Sequence, residues 1–273
     1  MYVKSFLTLI ITLLITSCVS VKNKNSTKNQ KIFIFDFDDT FYSTKNGTYV
    51  EFLYESVFQN SKHSPKEVEN FIKKQKIKTP QDKVKIVKLI KGKFKVDIVK
   101  KNIDYSVLQI DKFQTKGFGD IIKKLISDGH KVTIIGGGSY GCAVIPDFVK
   151  QFGIKKEDIY SGYFKDFSNE SMAIGLFDKF RYVNCEKPDD KTPYSENKSD
   201  LIKLLKNQGK ISGKITHIGD GKNDLEVWQD GVIDNFIGFG LNQIDKKVEK
   251  EAPIFVKNIS ELEKEINIVL KKN

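Results

Sequence analysis

The stretch KIFIFDFDDTF, residues 31–41, sets an apolar run against three carboxylates crowded into its end. Lys31 to Phe35 has the β-branched and aromatic content of a buried strand. In an α/β sheet such a strand delivers its C-terminal end to the ligand crevice. Asp36, Asp38 and Asp39 repel one another and disfavour strand and helix interiors, so their crowding there points to a site where carboxylates do chemistry. The alternative is a solvated turn after a strand.

Outward from this stretch, residues 44–114 lose strand-like runs and show helical spacing, with Tyr49, Phe52, Leu53 and Val57 on one stripe and Val68, Phe71 and Ile72 on another. This reads as a helical cap inserted after the first strand, of a size that suits a lid rather than a full α/β domain. Strand and helix then alternate. Phe118–His130 is helical, KVTII (131–135) a strand, and GCAVIPDFVKQFG a short helix whose start Pro146 obscures. Residues 158–181 read as short extended pieces and turns, Ser199–Gly209 as a helix, and KITHIG and DNFIGFG as strands. The pattern predicts an α/β fold, a doubly wound parallel sheet over 31–43 and 115–273 carrying the cap at 44–114.

At 273 residues and 39% hydrophobic, the chain can bury a substantial core. Its 46 basic residues against 35 acidic ones give a formal charge of +11, yet Arg181 is the only arginine. Base reading and phosphate forks favour the planar guanidinium, so nucleic acid is not an expected partner. The charge reads as a diffuse solvated surface that also gathers anions.

The N-terminus has Lys4, an apolar run from Phe6 to Ile15, then Thr16, Ser17 and Cys18. This is the layout of a secretory signal, with a run too short to span a bilayer comfortably. Ile15-Thr16-Ser17-Cys18 resembles the bacterial lipobox, which implies a signal peptide at 1–17 and lipidation of Cys18, hence a membrane-anchored protein of the cell envelope. An uncleaved signal anchor is the alternative. Residues 18–30 are polar and aperiodic, as a flexible tether would be. Cys142 and Cys185 remain, either as a disulfide or as two separate thiols; sequence does not fix their separation.

Three further stretches place polar groups where strands should end: GGGSYG (136–141), Lys198 just ahead of a helix, and IGDGKND (218–224). A carboxylate attacks phosphorus when the phosphoryl group is held in line and its charge neutralised. Asp36 would be the nucleophile, Asp36 and Asp220 would hold Mg²⁺, and Lys198 would add a second positive charge. Asp38, leaving the strand two residues later, would protonate the departing alkoxide and then deprotonate water. Glycines at 136 to 138 let backbone N–H groups approach phosphate oxygens. His63, His130 and His217 lack metal-ligand spacing and read as surface or strand residues.

Asp36-Phe37-Asp38-Asp39-Thr40, Lys198 and Gly219-Asp220-Gly221-Lys222-Asn223-Asp224, in that order, resemble motifs I, III and IV of the haloacid-dehalogenase-like hydrolases, in their phosphatase branch. The acid at 38 is what sets that branch apart from the dehalogenases. GGGS, Lys198-Ser199-Asp200-Leu201-Ile202 and the late FIGFGLNQIDKKVEKEAPIFVKNISEL are similar to the phosphoserine-phosphatase subgroup, which has a helical cap. The resemblance implies a Mg²⁺-dependent phosphomonoesterase acting on a small phosphorylated metabolite through an aspartyl phosphate. It makes Asp36 the nucleophile, Asp38 the acid/base and Lys198 the motif III lysine. Thr40, Gly137, Gly138 and Ser139 would serve the phosphate, and Asp36, Asp38, Asp220 and Asp224 the metal.

Two positions depart from that pattern. The subgroup's hydroxyl residue before two glycines aligns with Gly136, leaving Ser139 as the nearest hydroxyl. The acid expected shortly after motif I to hold a substrate ammonium is replaced by Thr44, Lys45 and Asn46, with Glu51 or Glu55 as substitutes. A phosphotransferase of the same family, or an envelope lipoprotein that keeps the fold without catalysis, are the competing expectations.

Overall fold

Ile32–Phe35 forms β1, and all four of its side chains are buried, as the apolar run requires. In the computed structural model that shows this, the described residues are 30–43, 62–74, 93, 110–136, 141–162, 182–187, 195 and 197–272. The chain divides into Met1–Gln30 and Lys31–Asn273. The signal, Cys18 and the tether up to residue 29 lie outside the described residues. So does most of the 44–114 insertion, within which α1 (Pro65–Lys74) and α2 (Ile110–Phe113) are described. No helix among the described residues is long and apolar enough to cross a membrane.

The chain returns from the insertion into α3 (Phe118–Ser127), β2 (Lys131–Ile135) and α4 (Gly141–Val149), followed by β3 (Ile159–Gly162) and β4 (Tyr182–Asn184). Then come α5 (Lys198–Asn207), β5 (Ile215–Gly219), α6 (Lys222–Gln229), β6 (Asn235–Phe239), α7 (Lys246–Glu251), β7 (Phe255–Val256) and α8 (Ile259–Lys271). Pro146 lies inside α4 rather than at its start. Element α6 falls between two strands expected from sequence, and α7, β7 and α8 extend the alternation beyond them.

Among the described residues the strands form one sheet in the order β4-β3-β2-β1-β5-β6-β7, parallel except for β4, which runs against β3. From β1 the chain builds outward through β2 and β3, then crosses back to lay β5 on the other side of β1. The sheet's topological switch therefore lies between β1 and β5, and ligands bind outside the carboxyl ends of the strands at such a point.

The period-two alternation of β1 sends its side chains into two cores. Phe33 and Phe35 pack with Phe118, Ile122, Phe148 and Leu262 from α3, α4 and α8. Ile32 and Ile34 pack with Leu201, Ile202, Leu225 and Val248 from α5, α6 and α7. Helices thus cover both faces, and β1 is fixed from both sides.

Of the two states left open for the cysteines, the structure has the disulfide. Cys142, in the first turn of α4, is bonded to Cys185 just beyond β4, with Cα atoms 5.0 Å apart. The bond ties the helix that follows the glycine stretch to the antiparallel edge of the sheet.

Candidate active site

Asp36 is the first residue past β1, and its N–H still donates to the carbonyl of Ile218 on β5 at 2.8 Å. The parallel ladder thereby carries its backbone to the switch point. Phe37 turns the other way, into an aromatic cluster with Phe41, Tyr42 and Phe148 at centroid distances of 6.2, 5.5 and 5.4 Å. That anchor leaves Asp38 exposed at the rim of the buried site. The turn closes with Phe41 and Tyr42 N–H groups on the Phe37 carbonyl, and Asp39 takes φ 53°, a left-handed conformation that Asp tolerates better than most residues.

Lys198 opens α5, where a cation opposes the helix dipole. Asn197 caps the helix by accepting the Asp200 N–H at 2.8 Å, so the lysine is free to serve the site. Its ammonium, almost wholly buried, donates to Asp36 Oδ1 and to Asp224 Oδ1, each at 2.5 Å. Asp220 follows β5 and accepts from the Thr40 hydroxyl at 3.1 Å. Asp224, in the first turn of α6, accepts from the Gly221 N–H at 3.1 Å through Oδ2 and lies 2.8 Å from His217 Nε2 through Oδ1. The same carboxylate thus closes the first turn of the helix and faces the site.

Two glycines are required by close approach. A Cβ on Gly219 would lie 2.6 Å from the Asp224 Cβ. At Gly136 it would meet the Phe37 nitrogen at 2.8 Å and run into the Asp36 carboxylate. The absence of a hydroxyl residue at 136 thus has a steric reason here. The buried Ser161 hydroxyl donates to the Gly136 carbonyl and holds the end of β2.

Asp36, Asp220 and Asp224 offer carboxylate oxygens that all lie within 4.8 Å of one another, and all three residues are buried. Burial pushes the Asp36 carboxyl up strongly, the nearby Asp224 adds to this, and Lys198 opposes it. Burial, with Asp224 and Asp39, lifts Asp220 to about 7. For Asp224 burial also acts upward, but Lys198 and His217 overcome it and hold the group low. Burial likewise acts to lower Lys198, yet Asp224 and Asp36 keep it well above the usual lysine range. One ammonium therefore faces three carboxylates, two of which resist ionising. An oxygen-only donor set short of positive charge fits a hard divalent cation.

The structure thus brings together Asp36, Lys198, Thr40, Asp220 and Asp224, with Asp38 at the rim. The carboxylate of Asp38 lies outside the cluster of three acids. Gly137, Gly138 and Ser139 lie outside the described residues, as do Thr44, Lys45, Asn46, Glu51 and Glu55. Two residues that the sequence reading did not assign take part. His217 binds Asp224. Buried Asn242, past β6, donates to the carbonyl of Asp39 at 3.0 Å and to the Thr115 hydroxyl at 2.6 Å, and that hydroxyl donates to the Thr40 carbonyl at 2.9 Å. The turn after β1 is thereby tied to the point where the chain leaves the insertion. A histidine within the strand-like run ITHIG was the one visible signal for the first; nothing local marked the second.

No protein-family model matches the chain. Over 148 residues, 54% of its length, it is 26% identical to a phosphoserine phosphatase of Drosophila melanogaster and 28% identical to that of Homo sapiens. The matched segment spans 49% and 59% of those proteins, so the chain covers about half the length of the relatives it matches. Among solved structures it is similar to a phosphoserine phosphohydrolase-like protein from Francisella tularensis, with a TM-score of 0.55 and 21% identity, covering 87% of this chain and 100% of that one. Taken with the seven-stranded sheet and its helices on both faces, this shows that the chain has the haloacid-dehalogenase-like α/β Rossmannoid fold.

Proposed function

We propose that the protein is a Mg²⁺-dependent phosphomonoesterase that works through an aspartyl phosphate on Asp36. The observation that carries this reading is the set of contacts at the switch point: Asp36 held by Lys198 at 2.5 Å, with Asp220 and Asp224 within 4.8 Å. A carboxylate so placed attacks phosphorus in line, forming an O–P bond as the ester O–P bond breaks. The Lys198 ammonium offsets the approach of two anions and draws phosphate oxygens to the nucleophile. Asp38, exposed at the mouth, gives its proton to the leaving alkoxide and takes one from the water that hydrolyses the acyl phosphate. Asp36, Asp220 and Asp224 would hold Mg²⁺, which when bound would neutralise phosphate charge and orient the transferred group.

The substrate class is a small phosphorylated metabolite. Likeness to phosphoserine phosphatases supports it, while Thr44, Lys45 and Asn46 in place of an acid argue against a substrate ammonium being held as in that subgroup. The protein is, on the same reading, exported and anchored at the bacterial cell envelope by a lipidated Cys18. The Phe6–Ile15 run before Ile-Thr-Ser-Cys supports this, and so does the Cys142–Cys185 disulfide, since such bonds persist in oxidising compartments. A Cys18→Ala precursor that still reaches the membrane with unchanged mature mass contradicts the anchor.

The function is tested by screening phosphomonoesters with the purified protein in excess EDTA and again in Mg²⁺. Turnover that needs Mg²⁺ and is lost in Asp36→Asn is the expected result. Undiminished turnover in the chelator contradicts it.

A further inference from the structure

His217 is wholly buried, ionisable, and unused by the chemistry above. It stands on β5 in parallel register with Ile34 of β1, and its ring stacks on Phe236 of β6 with centroids 6.1 Å apart. Packing alone would be served by valine or isoleucine, without the cost of removing an imidazole from water. The compensating contact is with Asp224, whose Oδ1 lies 2.8 Å from His217 Nε2. That oxygen already accepts from the Lys198 ammonium, so Nε2 carries the proton and donates, leaving Nδ1 as the bare nitrogen.

Three donors therefore hold the Asp224 carboxylate: Lys198 and His217 on Oδ1, and the Gly221 N–H on Oδ2. Of these only His217 and Gly221 belong to the rigid frame of β5 and the start of α6. Lysine, on a flexible stem, follows the carboxylate rather than fixing it. Without the imidazole, one backbone N–H would be left to set the tilt of a carboxylate that faces two others within 4.8 Å.

We propose that His217 is a positioning residue for phosphoryl transfer: its Nε2–H fixes Asp224, and through Asp224 it sets the Lys198 ammonium against the Asp36 nucleophile. The inference rests on the phosphatase reading for its link to turnover. Partners that orient a metal-site carboxylate typically carry 10- to 100-fold in affinity or activity.

The test compares His217→Gln with His217→Asn in the full chain in detergent. The glutamine amide nitrogen reaches about as far as Nε2, whereas asparagine stops near Nδ1; both place an amide in the same strand. Turnover of p-nitrophenyl phosphate is measured alongside calorimetric binding of Mg²⁺ to the substrate-free protein. His217→Asn should lose about 10- to 100-fold in kcat with KM held within about 3-fold, and should bind Mg²⁺ about 10-fold more weakly. His217→Gln should return both to within about 3-fold of wild type, although the two variants melt alike. His217→Leu, which keeps the apolar packing, replaces the asparagine variant if that one does not fold. A contrast between donor-bearing and donor-lacking variants in either readout supports the proposal; its absence from both overturns it. If wild type turns over no phosphomonoester, the functional reading fails on its own, and the Mg²⁺ titration still decides the role of His217.

Discussion

Replacing Lys198 with methionine keeps the length of the stem and removes the charge. Lys198 is only 3% exposed, and its ammonium sits 2.5 Å from both Asp36 and Asp224. Without it, three buried acids remain with oxygens no more than 4.8 Å apart. At an effective dielectric near 20, two full charges at that separation repel by about 3.5 kcal/mol. Proton uptake relieves part of this, and removal of one partner from a buried pair typically costs about 3–5 kcal/mol. For a domain of this size that loss corresponds to a fall of about 6–20 °C in Tm. Circular dichroism melts in excess EDTA measure it, and added Mg²⁺ should recover part of the loss by supplying positive charge to the same oxygens. Turnover should stay about 10²- to 10³-fold below wild type even in saturating Mg²⁺, because the lost contact is to the proposed nucleophile. A Tm in EDTA equal to or above that of wild type would refute the view that the Lys198 charge offsets these buried carboxyls and holds Asp224 ionised.

Asp38→Asn should slow an alkyl phosphate by about 10² to 10⁴, whereas an aryl phosphate, whose phenolate leaves readily, should give a rapid burst and then slow turnover. Equal losses for the two substrates would argue against Asp38 as the proton shuttle. Asp220, lifted to about 7 by burial and neighbouring acids, binds more protons folded than unfolded between its ordinary value and that point, so ionising it as pH rises costs stability. In EDTA, the Tm of Asp220→Asn should therefore gain on that of wild type as pH rises from about 4 to about 7 and level off above, and Mg²⁺ should reverse the gain; a pH-independent gap contradicts this. The Cys142–Cys185 bond joins residues 43 apart, and a loop of that size contributes about 4 kcal/mol through the unfolded chain. Urea unfolding with and without reductant should show a loss approaching that figure, and coincident curves would contradict it.

What could be read from the sequence is what local composition fixes. KIFIF reads as a buried strand and acids at its end had to meet solvent or a ligand, whereas the helix read from Ser199 begins one residue earlier, at Lys198, because Asn197 caps it. The parallel sheet followed from the alternation of strands and helices. Element α6 was not marked, because Leu225 and Val227 are both buried two residues apart, a strand-like spacing imposed by burial against α5 and β6. The disulfide depended on a Cα separation that no spacing reveals. Thr40 meets Asp220 across 180 residues and Asn242 meets Asp39 across 203, so the polar frame of the site exists only once β1, β5 and β6 are side by side.

Whether Asp36 carries the phosphoryl group is measured most directly by trapping it. Wild type, Asp38→Asn and Asp36→Asn are mixed with p-nitrophenyl phosphate in Mg²⁺, quenched on the millisecond scale, reduced with borohydride and digested for mass spectrometry. An aspartyl phosphate is converted by this treatment to homoserine. The expected result is homoserine at position 36 in wild type, more of it in Asp38→Asn, where hydrolysis of the intermediate lacks its base, and none in Asp36→Asn. Turnover by wild type with no homoserine at 36, or with the label on another residue, contradicts the assignment of Asp36 as nucleophile.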